Sequence, residues 1–63
     1  MYVSAVNPRW TSGSPTATTP IDLDVTWDDG QTGRYTADPA DTVSPWGPDL
    51  HARAYAGEFG TVA

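Results

Sequence analysis

The fold is decided by the stretch Ile21-Asp22-Leu23-Asp24-Val25-Thr26-Trp27-Asp28-Asp29-Gly30-Gln31-Thr32-Gly33-Arg34-Tyr35-Thr36-Ala37. From Ile21 to Trp27 apolar and polar residues alternate strictly, the period of a strand with one face buried and the other wet. Asp28-Asp29-Gly30 then supplies turn chemistry, and residues 31–37 return. The length of the turn follows from the side chains it brings opposite one another. A two-residue loop at Asp29-Gly30 sets Leu23 against Thr36 and Val25 against Arg34. A three-residue loop over 28–30 closes on Trp27 and Gln31 instead. It sets Ile21 against Ala37, Leu23 against Tyr35 and Val25 against Gly33, while on the other face Asp24 meets Arg34 and Thr26 meets Thr32. Each matched pair contributes roughly 0.2–1 kcal/mol, so the sequence favours the three-residue loop. That loop also gives Gly30 the left-handed position of a G1 bulge.

Upstream of the hairpin, residues 2–6 read as a short strand ended by Asn7-Pro8. Its buried face is undetermined, because Tyr2, Val3, Ala5 and Val6 do not alternate. Residues 11–20 (TSGSPTATTP) are polar and twice interrupted by proline, the composition of an extended connector. Downstream, residues 38–48 form a second loop turned by Pro39, Pro45, Gly47 and Pro48. A short helix over about 48–56 follows, with Pro48 at its first position, Asp49 complementing the dipole and Gly57 just past its end. Leu50 and Ala54 share a face, and Ala52, Ala54 and Ala56 favour helix. So short a helix must pack to persist. Residues 58–63 are expected to return as an extended segment anchored by Phe59 and Val62. The expected architecture is α+β: one domain over 1–63, with a small antiparallel sheet made of hairpin 21–37 plus the N-terminal strand, and one C-terminal helix.

Composition narrows the function classes. The chain has 63 residues, no cysteine, and a formal net charge of −5. Arg9, Arg34 and Arg53 are its only strong bases and stand singly, which argues against nucleic acid or an anionic membrane as a partner. Without cysteine there is no disulfide, thiol chemistry or usual zinc knuckle. No apolar run reaches the roughly 18 residues of a membrane span. Met1-Tyr2-Val3-Ser4 lacks the basic and apolar regions of a secretory signal, so the expectation is a complete small protein made in the cytoplasm. Pro, Gly, Ser and Thr are abundant, but 11% aromatic content opposes disorder. Eight of the apolar residues are alanines and only sixteen are larger. A core that thin usually needs a staple, a metal or a partner, and a fold completed against neighbouring chains is the expectation.

Candidate chemistry is sparse. Asp22, Asp24 and Asp28 share a strand face with Asp29 beside them, but their spacing is not that of a calcium loop. They read as a solvated face and a turn. His51, the single imidazole, has no nucleophile and orienting carboxylate at usable spacing, and reads as a surface or interface histidine. No nucleophile-elbow, zinc-helix or phosphate-loop motif occurs. An enzyme is not expected, nor is a cofactor or a metal. Trp10 and Trp46 lie beside proline- and glycine-rich loops, where tryptophan either caps a small core or anchors a partner. Together with Tyr35 and Phe59 they are the candidate partner-binding residues. A sugar platform of Trp, Tyr and Asp is a weaker alternative. Residues 31–37 also lack lysine or proline, the usual guards of an edge strand, which suits strand addition.

The run from Ile21 to Thr32, then Tyr35-Thr36-Ala37-Asp38-Pro39, and the closing Gly57-Glu58-Phe59-Gly60 together resemble small open reading frames of tailed bacteriophages encoded near virion and tail genes. The resemblance covers residues 21–62 and leaves the region before Ile21 unmatched. It implies a structural or assembly role and carries no catalytic residues. The expected function is therefore a minor virion component, a tail or head accessory or decoration protein. It would be made in the host cytoplasm, located in the virion, and bound to other virion proteins and to itself. The alternatives are an acidic inhibitor that imitates nucleic acid to block a host enzyme, and a small carbohydrate-binding module.

Overall fold

A computed structural model of the chain describes residues 2–63; Met1 lies outside the described residues. Strand β1 (Tyr2–Trp10) pairs antiparallel with β2 (Ile21–Trp27), which pairs antiparallel with β3 (Thr32–Ala37). Helix α1 (Trp46–Tyr55) follows, so the fold is α+β with the sheet order β1-β2-β3. Among the described residues no helix is long and apolar enough to cross a membrane.

The hairpin has the three-residue loop. Ile21 stands opposite Ala37, Leu23 opposite Tyr35, Val25 opposite Gly33 and Thr26 opposite Thr32. The turn is closed by the Trp27 amide donating to the Gln31 carbonyl at 2.8 Å and the Gly30 amide donating to the Trp27 carbonyl at 2.9 Å. Gly30 adopts φ +87°, a conformation that costs a residue with a Cβ roughly 1–2 kcal/mol. Ile21, Leu23 and Val25 are fully buried, as the alternation requires.

β1 departs from the expected strand. It does not end at Asn7-Pro8 but runs nine residues to Trp10. Register shifts between Tyr2 and Ser4 and between Val6 and Arg9 each insert an extra residue. The second bulge holds Asn7 at φ +55°, a conformation asparagine tolerates better than most residues. It also absorbs Pro8, which cannot donate to a ladder. The bulges explain why the strand does not alternate: its inward positions Tyr2, Ala5 and Pro8 fall three apart. A bulge re-aims every residue beyond it.

Residues 11–18 are exposed and Thr19 and Pro20 half-buried, and the segment turns back on itself where an extended connector was expected. Trp10 is opposite Ile21, so the segment joins neighbouring strands and must fold back on itself. The Thr11 amide and hydroxyl both donate to the Pro20 carbonyl, at 3.3 and 3.0 Å. Inside this closure the Thr16 amide donates to Thr19 Oγ1 at 2.8 Å.

α1 begins two residues earlier than expected, at Trp46, so Pro48 is third in the helix and not first. No first-turn amide has an intrahelical partner, and proline is tolerated throughout that turn. The helix ends as expected, in a Schellman motif. The Gly57 amide donates to the Ala54 carbonyl at 3.0 Å and the Glu58 amide to the Arg53 carbonyl at 3.1 Å. Gly57 takes φ +84° to allow both.

The core is Ala5, Ile21, Leu23, Val25, Ala37, Leu50 and Ala54, ringed by half-buried Tyr2, Trp10, Trp27, Tyr35, Trp46, Phe59 and Val62. Those rings, with Phe59 and Val62 of the tail, pack against the core. The radius of gyration is 10.8 Å, against about 10.6 Å for a compact chain of this length. The accessible surface is 3801 Å², against about 3,900 Å² for a folded monomer of this mass.

Candidate functional site

The four candidate partner-binding residues are half-buried and pack around the core. Trp10, at the end of β1, meets Tyr55 edge-on at 6.1 Å between ring centroids. Tyr35, on β3, meets Trp27 edge-on at 5.6 Å, and its hydroxyl donates to Ser44 Oγ at 3.1 Å. Trp46 opens α1, its amide donating to the same Ser44 Oγ at 3.3 Å. Phe59 borders an open groove with Asn7, Pro8, Arg9, Thr61 and Ala63. Ser44 thus brings Tyr35 and Trp46 together, while Trp10 and Phe59 belong to the side where the C-terminal segment runs. The tryptophans that looked exposed in sequence pack against the core. The large apolar residues that do face solvent are Val3, Val6, Val43 and Tyr55, with Val43 94% exposed. Sequence patterning missed Val3 and Val6 because the bulges rotate them outward.

His51, expected at the surface or at an interface, is buried within the chain. It is 4% exposed, and its Nε2 lies 2.8 Å from the Thr19 carbonyl. A carbonyl only accepts, so Nε2 carries the proton. The ring stacks on Tyr55 at 6.2 Å. This imidazole pins the 11–20 loop to the helix.

The outer face of the sheet carries the acids in a network shared with bases and hydroxyls. Asp24 stands opposite Arg34 in register, but its carboxylate is held from β1. Asn7 Nδ2 donates to Oδ2 at 3.0 Å and Arg9 donates to Oδ1 at 3.2 Å. The Asn7 hydrogen bond first, and then Arg9, keep Asp24 below the usual carboxylate range. Thr36 donates to Asp22, and Thr26 and Thr32 bond across the strands at 3.1 Å. Elsewhere Tyr2 donates to Asp49 at 2.9 Å, and Asp49 pairs with Arg53 at 3.2 Å. Burial, then that hydrogen bond, push the Tyr2 phenol up. In the second loop Asp38 accepts from the Ala40 amide, and Asp41 from the amides of Val43 and Ser44. Among the described residues no three metal-ligating side chains converge.

The two edges of the sheet differ. On β1, two bulges and Pro8 interrupt the ladder, and the tail covers part of it: Trp10 donates to the Ala63 carbonyl and Ala63 donates to the Pro8 carbonyl, both at 2.9 Å. β3 has an unbroken register and no proline. Hydrogen-bonded and non-bonded pairs alternate along an antiparallel ladder. Counting from the bonded pair Trp27–Gln31, Gly33, Tyr35 and Ala37 turn their backbone groups to β2. Thr32, Arg34 and Thr36 therefore turn theirs outward, where no backbone partner meets them among the described residues. These three residues are exposed, and Arg34 makes no ion pair among the described residues.

No protein-family model, curated protein or solved structure matches the chain.

Proposed function

We propose that the chain is a non-catalytic assembly protein, a minor tail or head accessory component of a bacteriophage virion that binds its neighbours by strand addition at β3. The observation behind this reading is the contrast between the edges: β1 carries bulges, a proline and a covering tail, whereas β3 has no bulge, proline or lysine, and Arg34 is its one charge. An open edge offers affinity through main-chain bonds and specificity through alternate side chains. The phage assignment rests on the resemblance of residues 21–62. The acidic-inhibitor alternative gains no support from the outer face, where Arg9 and Arg34 stand among Asp22 and Asp24 and both carboxylates are engaged. The test is mass spectrometry of purified particles from a phage that encodes the chain, in wild-type form and with Thr36→Pro. The chain is expected in wild-type particles and depleted with Thr36→Pro, whose missing amide is one of the outward donors. Its absence from wild-type particles overturns the assignment.

A further inference from the structure

We propose that the β3 edge takes a second copy of this chain, pairing β3 with β3 antiparallel about a two-fold axis at Tyr35. The proposal rests on reading that edge as a contact surface, and not on the virion assignment.

The register follows from faces, bonds and charges. Two copies keep both helices on one side of the joined sheet only when outward-facing Thr32, Arg34 and Thr36 meet residues of the same set, because a one-residue slip reverses the faces. Arg34 opposite Arg34 places like charges together, which destabilises an antiparallel pair. Moving the axis by one residue, to Tyr35, sets Arg34 opposite Thr36 of the second copy. Both residues turn their amide and carbonyl outward, so they form a reciprocally bonded pair on each side of the axis. The two Tyr35 residues then meet as a non-bonded pair, the closer kind, with Cα atoms about 4.5 Å apart.

Charge complementarity favours this occupant. Asp24, the intramolecular neighbour of Arg34, is taken by Asn7 and Arg9. In the joined sheet Arg34 lies beside Thr36 of the second copy, whose hydroxyl donates to Asp22. Each guanidinium therefore belongs to a residue two strands, about 10 Å, from Asp22 of the other copy. The row Arg9, Asp22, Thr36 of one copy continues into Arg34 and Asp24 of the next with charges alternating in sign, and two Arg34–Asp22 attractions stand against one diagonal Arg34–Arg34 repulsion. The interface is a single strand wide, so it is a weak one.

Sedimentation velocity of the full chain between about 10 µM and about 1 mM, the range that resolves weak association, should show a reversible monomer–dimer equilibrium. Arg34→Glu should lower the melt of the dilute protein slightly, since it sets a like charge opposite Asp24, and should raise the dimer dissociation constant about ten-fold or more, by losing two symmetric attractions and adding repulsion. Because the chain has no cysteine, single cysteines report register cleanly. Tyr35→Cys should oxidise to a covalent dimer, and Arg34→Cys should not, since those positions are diagonal neighbours about 7–8 Å apart. A wild-type chain monomeric at about 1 mM, or a dimer indifferent to Arg34→Glu, overturns the proposal. A dimer that cross-links through Arg34→Cys in preference overturns the register. Presence in particles without self-association would leave the proposed function standing and remove this inference alone.

Discussion

Leu50→Ala isolates the bond between helix and sheet. Leu50 is the one large helix side chain that is fully buried, and it shares the apolar side of α1 with Gly47, His51 and Ala54. Alanine favours helix at least as well as leucine, so the substitution removes packing and leaves helix propensity intact. Emptying such a site costs about 2–5 kcal/mol. A domain of this length has about 3–9 kcal/mol in all, so at least about a fifth of the stability should go. At about 3 kcal/mol the midpoint should fall by roughly 12–24 °C, taking about 4–8 °C per kcal/mol for a domain this small. The assay is thermal and urea unfolding followed by far-UV circular dichroism and tryptophan fluorescence, since Trp10, Trp27 and Trp46 all pack on the core. Val43→Ala is the control: the side chain is 94% exposed, and its loss should stay within about 0.5 kcal/mol. A Leu50→Ala protein that loses less than about 1 kcal/mol at an unchanged urea slope would refute the packing described here.

Gly57→Ala should cost about 1 kcal/mol, because φ +84° is a left-handed conformation that a Cβ disfavours; equilibrium urea melts decide it. His51→Leu should lose roughly 0.5–1.5 kcal/mol and free the 11–20 loop, read as faster amide exchange over those residues with β2 unchanged. Asp24 is held below its ordinary range by Asn7 and Arg9, so it contributes stability above the unfolded carboxylate pKa. That stability is lost as pH falls through the lower folded value. Asp24→Asn should therefore flatten the acid limb of a midpoint-against-pH curve and change its shape little at neutral pH and above.

The hairpin was legible in the sequence to the level of individual pairs, because strict alternation from Ile21 to Trp27 leaves only the turn length to decide. The end of α1 was equally legible, since Gly57 is the local signal of a Schellman close. β1 was not, because each bulge resets the inward phase and no residue before the second bulge announces it. The start of α1 was misplaced because proline suits any position of the first turn, so Pro48 does not mark which one. The burial of His51 had no local signal at all: its partner, the Thr19 carbonyl, lies 32 positions away in the chain. Trp10 and Trp46 looked unsatisfied for the same reason, since Tyr55 and Ser44 reach them only once the sheet and helix are assembled.

β3 presents one backbone edge to β2 and leaves the other open for pairing, which residue-resolved amide exchange tests directly. In dilute solution the Gly33, Tyr35 and Ala37 amides should be protected and those of Thr32, Arg34 and Thr36 should exchange freely. As concentration rises, Arg34 and Thr36 should gain protection together. Uniform protection along β3 in the dilute monomer, or free exchange of Arg34 and Thr36 at every concentration, would contradict it.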